Sequence, residues 1–220
     1  MIGLSPFQVA VARLFFSLPS ANGFVLAGGG ALLANGLSSR PTRDLDFFSI
    51  DPAAVVDDAC DALIEALAAV EVEVYPRRRT TDFARLHLVG VEELVVDLCV
   101  DSVPVRPPVH SPVGPTFSTE DLGGRKLLAL YSRAEARDFV DVFHLAALLD
   151  RDLMIDIAAM VDLGFDERVL ADMFRSIERI TDAELGAMSG DVAQLRAYFG
   201  SWADVLDEDR GDDQRRQRGG

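Results

Sequence analysis

Asp44-Leu45-Asp46 opens an otherwise apolar stretch, DLDFFSI. On a β-strand, residues i and i+2 share a face, so this spacing presents two carboxylates side by side. Like charges so placed repel without a cation, and the pattern reads as a divalent-cation site. Upstream, the short apolar strand Phe24-Val25-Leu26-Ala27 ends in Gly28-Gly29-Gly30, and a helix follows. Backbone N–H groups at such a turn can approach an anion closely, and a helix start favours negative charge. A phosphate-sized nest beside two cation-holding carboxylates suits a triphosphate. Asp97 lies inside Leu94-Val95-Val96-Asp97-Leu98-Cys99-Val100. A lone Asp there is costly unless paired or metal-bound. If its strand neighbours that of Asp44, three carboxylates from two strands match two-metal chemistry. The competing readings are structural: a tight glycine turn, carboxylates capping a strand, and a buried hydrogen-bonded Asp97.

Basic residues are the second source of chemistry. The formal charge is −15, from 21 Lys+Arg against 36 Asp+Glu. So acidic a chain is repelled by phosphate at long range and is a poor general nucleic-acid binder. Its main basic concentration is Arg77-Arg78-Arg79, with Arg85 and His87 close behind. It reads either as a holder of RNA phosphates or the triphosphate tail, or as a solvated hairpin tip. Twenty of the basic residues are Arg and one is Lys, at Lys126. Drift toward Arg accounts for the 20 but not for the one Lys retained. His87, His110 and His144 lie far apart, without metal-ligand spacing. Cys60 and Cys99 sit in apolar contexts, which excludes a disulfide scaffold and fits a reducing cytoplasm.

These residues need a scaffold. Ser5-Pro6-Phe7-Gln8 carries a capping-box signature, so the pattern predicts an opening helix over 5–18 rather than a signal peptide. Strands are predicted over 24–27, 44–50, 70–75, 83–89 and 94–100, with a helix over 51–69 capped by Asp51. Pro76 to Asp82 fall in a turn. Residues 101–117 are Pro-rich and read as a connector. Beyond it the pattern is helical, over 119–132, from a Ser132–Glu135 capping box to 149, then 151–161, 166–179, 181–188, 191–199 and 201–206. The fold class is α+β (α/β): a small mixed-sheet domain over 1–105, a helical domain over 106–206, and a disordered tail over 207–220. No apolar run is long enough to span a membrane.

The segment Gly28-Gly29-Gly30-Ala31-Leu32, followed by Arg40-Pro41-Thr42-Arg43-Asp44-Leu45-Asp46-Phe47-Phe48, resembles motif I of the abortive-infection nucleotidyltransferase toxins. These are the AbiEii/AbiGii group, including the mycobacterial MenT toxins, within the DNA polymerase β-like superfamily. Lys126-Leu127-Leu128 with Arg133 resembles the family's Lys-Leu…Arg motif. Arg137-Asp138-Phe139-Val140-Asp141 resembles its Lys-Asp-x-x-Asp motif, with Arg in place of Lys. The matched segments run in family order from about residue 24 to 145, and the one Lys of the chain falls on the motif Lys. One departure stands out: Gly29-Gly30 replaces the usual Gly-Ser or Gly-Thr, although Thr42 keeps a hydroxyl near the first Asp.

The resemblance implies a polymerase β-like nucleotidyltransferase domain whose active cleft is completed by the helical domain. It implies transfer of a nucleotide from an NTP, with two Mg²⁺ ions, to the 3′ end of tRNA, arresting translation and growth. Asp44 and Asp46 would hold the metal, with Asp97 as third ligand. Gly29, Gly30 and Thr42 would bind the nucleotide. Lys126 and Arg133 would meet its phosphates, with Asp138 and Asp141 orienting them or the nucleotide. Arg77, Arg78 and Arg79 would touch RNA. A cognate antitoxin and a cytoplasmic location complete the expectation. Other acceptors, such as a protein or an aminoglycoside, remain open at this point, as does a nucleotide- or partner-binding module without catalysis.

Overall fold

Ser5 has an extended backbone, and its side chain accepts from the Gln8 backbone N–H while the Gln8 side chain accepts from the Ser5 N–H. This reciprocal cap, with Pro6 at the first position, starts α1 (Pro6–Ser17) where the sequence predicts it. The structure is a computed structural model and describes residues 3–188 and 191–218. It divides into two units, Met1–Leu122 and Gly123–Gly220.

In the first unit β1 (Phe24–Ala27) runs directly into α2 (Gly28–Ala34), so the three glycines form a helix's first turn rather than a separate loop. Then come β2 (Asp44–Ser49), α3 (Val56–Ala68), β3 (Glu73–Thr80), β4 (Phe83–Val89), β5 (Glu93–Val100), β6 (Val109–Ser111) and β7 (Gly114–Thr116). They form one seven-stranded sheet in the order β3-β4-β5-β2-β1-β7-β6. The β2–β5 and β1–β7 pairs are parallel and the others antiparallel, so the sheet is mixed, as expected.

Period-two alternation divides its two faces. Leu45 and Phe47 of β2, Ala84, Leu86 and Leu88 of β4, and Leu94, Val96 and Leu98 of β5 are buried. Helices α1 and α3 pack on that side. Phe15 of α1 stacks on Phe47 with ring centroids 4.1 Å apart, and Ala59, Cys60 and Leu63 of α3 are fully buried. Burying a Phe or Leu side chain stabilises by about 1.5–3 kcal/mol, and this layer anchors the sheet. The opposite face carries Asp44, Asp46 and Asp97.

Several sequence expectations are corrected. Helix α3 starts at Val56, because the Asp51 carboxylate instead accepts the Ala53 N–H at 2.9 Å within a turn. Residues 76–80 lie in β3 rather than in a turn, and a register shift between Pro76 and Arg78 accommodates Arg77. The Pro-rich connector contains β6 and β7. Because β7 pairs with β1 at Leu26↔Thr116, the connector joins the sheet, and the first unit reaches Leu122 rather than stopping at 105.

Helix α4 (Thr119–Arg133) runs through the boundary between the units. The second unit continues with α5 (Ala136–Leu145), α6 (Arg151–Val161), α7 (Glu167–Arg175), α8 (Asp182–Gly186) and α9 (Val192–Arg218). The cap of α5 is Glu135 paired with Asp138, not Ser132 with Glu135. Asp150, Asp166 and Thr181 cap the next three helices with their side chains. The aromatic cluster Phe139, Phe174, Phe199 and Trp202 fills the core, with centroids 4.9 Å apart for Phe139–Phe199 and 4.7 Å for Phe174–Trp202. The helices expected over 191–199 and 201–206 are one, and it continues to Arg218 through the segment expected to be a disordered tail. Once the packed part of a helix is nucleated, each further residue fixed adds a hydrogen bond without a new nucleation cost. Gly219 and Gly220 of that expected tail lie outside the described residues.

Candidate active site

The sheet register brings residues distant in sequence into rows. Asp46 lies opposite Asp97 across the parallel β2–β5 pair, and Asp97 opposite Arg85 across β5–β4. Arg85 in turn lies opposite Arg78, and Asp46 opposite Ala27 at the end of β1. In-register neighbours share a face about 5 Å apart. The face opposite α1 and α3 therefore carries Arg78, Arg85, Asp97 and Asp46 in one line. One row along lie Tyr75, His87, Val95 and Asp44. The juxtaposition of Asp97 with the Asp44-Leu45-Asp46 pair is as the sequence suggests.

Asp97 is not left alone there. The Arg85 guanidinium grips both its oxygens, Nε at 2.8 Å and Nη2 at 2.5 Å. Asp97 is 8% exposed, whereas the Arg85 side chain is half-exposed. The hydrogen bond to Asp97, reinforced by the charges of Asp97, Asp46 and Asp44 against some desolvation, raises the Arg85 pKa. Cys99, one row further along beside Phe48, has its thiol pushed up to about 12 by burial first and then by Asp101, Asp46 and Asp97. It is inert at neutral pH.

Local geometry fixes the two aspartates. Thr42 Oγ1 donates to Asp44, and Gln8 of α1 holds the Thr42 carbonyl through its side-chain amide at 2.8 Å. Gly28 has φ +58°, and a Cβ there would sit 1.8 Å from Asp46 Oδ2. Asp46 thus lies in the space that a side chain at 28 would fill. Sequence reasoning singled out Gly29 and Gly30 and passed over Gly28. Its signal was the strand-ending position beside the Asp44-Leu45-Asp46 strand. Gly29 and Gly30 are buried in the first turn of α2, and a Cβ on Gly29 would meet Thr42 Oγ1 at 3.0 Å and Arg40 Nη2 at 3.5 Å.

Arg77, Arg78 and Arg79 separate. Arg79 points to the α3 side, where it pairs with Asp57 at 2.6 Å and Asp61 at 2.5 Å. Those two carboxylates raise its pKa. Arg77 and Arg78 stay with the carboxylate face: Arg77 meets His87 Nδ1 at 3.2 Å and the Tyr75 ring, and Arg78 lies over Phe83.

The second unit holds the remaining sequence-predicted residues in two adjoining ion pairs. Lys126 Nζ donates to Asp141 Oδ2 at 2.8 Å. Arg133 binds both oxygens of Asp138 at 2.8 Å, and Asp138 also accepts the Glu135 N–H at 3.3 Å. Asp138 and Asp141 are fully buried and Lys126 is 8% exposed. Each aspartate thus pairs with a cation of α4.

The donors fit a hard divalent cation in type and face: Asp44 and Asp46 offer carboxylate oxygens side by side. Among the described residues no three side chains of ligand type converge on one point, and Asp97 is engaged by Arg85.

The profile of the nucleotidyl transferase AbiEii toxin family, type IV toxin–antitoxin system, matches residues 10–213. No curated protein matches the sequence. Among solved structures, JHP933 from Helicobacter pylori is similar with TM-score 0.56 and 18% identity, covering 98% of each chain. A putative nucleotidyltransferase from H. pylori gives TM-score 0.57 at 18% identity, over 94% of this chain and 97% of that one. MenT4, a nucleotidyltransferase toxin of Mycobacterium tuberculosis H37Rv, gives 0.50 at 16% identity, over 94% and 92%. At these identities the likeness is one of fold.

Proposed function

Because the chain belongs to the AbiEii nucleotidyl transferase toxin family of type IV toxin–antitoxin systems, we propose that it transfers a nucleotide from an NTP to the 3′ end of tRNA and thereby arrests translation. The observation that carries this reading is the row of carboxylates, Asp44 and Asp46 on one face of β2 with Asp97 in register beside them. The acceptor 3′ hydroxyl oxygen forms a bond to the α-phosphorus, and the bond to pyrophosphate breaks. Asp97 would complete the cation site and so help activate the hydroxyl, whose proton leaves to solvent. Mg²⁺ bound by Asp44 and Asp46 would neutralise triphosphate charge and lower the hydroxyl's pKa. Thr42 and Gln8 hold Asp44 in place, and Gly28 leaves room for Asp46. Gly29, Gly30 and Thr42 line the nucleotide's side of the carboxylates. Lys126 and Arg133 serve as phosphate-directed cations, held by Asp141 and Asp138. Arg77 and Arg78 meet acceptor phosphates, while Arg79 belongs to the packing of α3. A cognate antitoxin is the expected partner. No helix among the described residues is long and apolar enough to cross a membrane.

One observation favours a second reading, a nucleotide-binding module without turnover: Arg85 occupies both oxygens of Asp97. A transfer assay separates the two. Protein, Mg²⁺, total tRNA and each α-labelled NTP in turn are incubated beside Asp46→Ala. Label in tRNA with wild type alone supports transfer and reports the base used. Label with neither protein, and none on protein or aminoglycoside acceptors, refutes it.

A further inference from the structure

We propose that Arg85 is the resident counter-cation of this site: it holds Asp97 until a divalent cation claims that carboxylate, and then passes to the phosphates of the incoming nucleotide. The inference rests on the reading of Asp44 and Asp46 as cation ligands. It starts from the row itself. Asp97 faces Asp46 on one side and Arg85 on the other. Without a metal, the only cationic side chain seen to grip Asp97 among the described residues is Arg85.

The two partners are unequal. Asp97 sits on a central strand with an 11% exposed side chain, while that of Arg85 is 51% exposed. The carboxylate is fixed and the guanidinium has solvent to move into. A partly exposed pair is worth little in water, and a doubly charged ion competes for the same oxygens with twice the charge. The Phe83 ring lies 5.7 Å from the Arg85 guanidinium, a contact that does not depend on Asp97. Once released, Arg85 stands one strand from the cation ligands with its planar fork unpaired. That fork matches phosphate oxygens two at a time. Asp44 and Asp46 already act on it electrostatically.

The exchange explains why Asp97 is paired although the site needs it for metal. It also makes cation and nucleotide binding mutually supportive, since the cation frees the group that grips the phosphates.

The test is titration of Mn²⁺ into the full chain, with free ion followed by electron paramagnetic resonance. Arg85→Ala should bind Mn²⁺ about tenfold more tightly, equivalent to about 1.4 kcal/mol. Adding Asp97→Asn should erase that gain, and the KM for NTP should rise in Arg85→Ala. Unchanged or weaker Mn²⁺ binding in Arg85→Ala overturns the proposal and leaves the pair purely structural. If that variant does not fold, Arg85→Lys keeps the charge and loses the fork. It should show intermediate affinity, and wild-type affinity overturns the proposal equally. Mn²⁺ binding that depends on Asp46 but not on Arg85 removes only this inference. Binding indifferent to Asp46→Ala removes the reading of the site as well.

Discussion

Replacing Gly28 with Ala separates backbone strain from loss of the site. Gly28 has φ +58°, and an added Cβ would lie 1.8 Å from Asp46 Oδ2 and 2.9 Å from its carboxyl carbon. The left-handed backbone alone costs an Ala about 1–2 kcal/mol. The contact requires more: the carboxylate must withdraw by over ~1 Å to reach ordinary van der Waals distance. A misplacement of ~1 Å in a reacting group costs about 100-fold in rate. Gly36 supplies the control. It has φ +70° with nothing within 4 Å of an added Cβ, so Gly36→Ala carries the backbone cost without the collision. Gly36→Ala should melt about 2–8 °C below wild type, from ~2–4 °C per kcal/mol at this chain length, and Gly28→Ala at least as far below. Only Gly28→Ala should lose about 100-fold in transfer rate and weaken Mn²⁺ binding. Circular dichroism melts, the tRNA labelling assay and the Mn²⁺ titration read the three quantities. Equal transfer rates in the two variants would refute the placement of Asp46 at the reacting centre.

The arginines should divide by face. Arg77→Ala and Arg78→Ala should weaken tRNA binding severalfold in a filter assay and flatten its salt dependence, each removing about one released counterion. Arg79→Ala should leave tRNA binding unchanged, since that side chain is occupied by Asp57 and Asp61. Lys126→Met should destabilise by about 3–5 kcal/mol in urea melts because it breaks the buried ion pair with Asp141. Lys126→Met with Asp141→Leu should recover most of that stability without recovering transfer. With its thiol pushed up to about 12, Cys99 should resist iodoacetamide at pH 8. As the group is neutral in the fold and ionises more readily when unfolded, its contribution to stability is present below pH 9 and lost as pH rises toward 12. Rapid labelling of native protein, mapped to Cys99 by peptide mass, would contradict this.

The sheet and its acidic face were legible because alternation is local: DLDFFSI and LVVDLCV each place their aspartates by parity alone. The capping box at Ser5 was equally readable. The pairing of Arg85 with Asp97 was within reach but passed over. Residues 90–92 separate β4 from β5, and counting back along both strands sets Arg85 opposite Asp97. What alternation could not supply was the face of each arginine in Arg77-Arg78-Arg79. The register shift at Pro76 reorders them, and such shifts depend on the partner strand. Strands β6 and β7 escaped because three-residue segments set among Pro108, Pro112, Gly114 and Pro115 carry no periodic signal. Gly28 escaped because its constraint is a carboxylate eighteen residues away.

The two outer strands of the sheet bear on how this chain keeps to itself. An outer strand is a template for intermolecular pairing and, through it, for aggregation. On one side β3 carries Pro76, which has no N–H to offer, a register shift beside it, and consecutive exposed arginines. On the other, β6 is only three residues long. Each border is therefore blunted by a different device. The arginines of β3 then have a second consequence besides any contact with a polyanion: they repel the same strand of another copy.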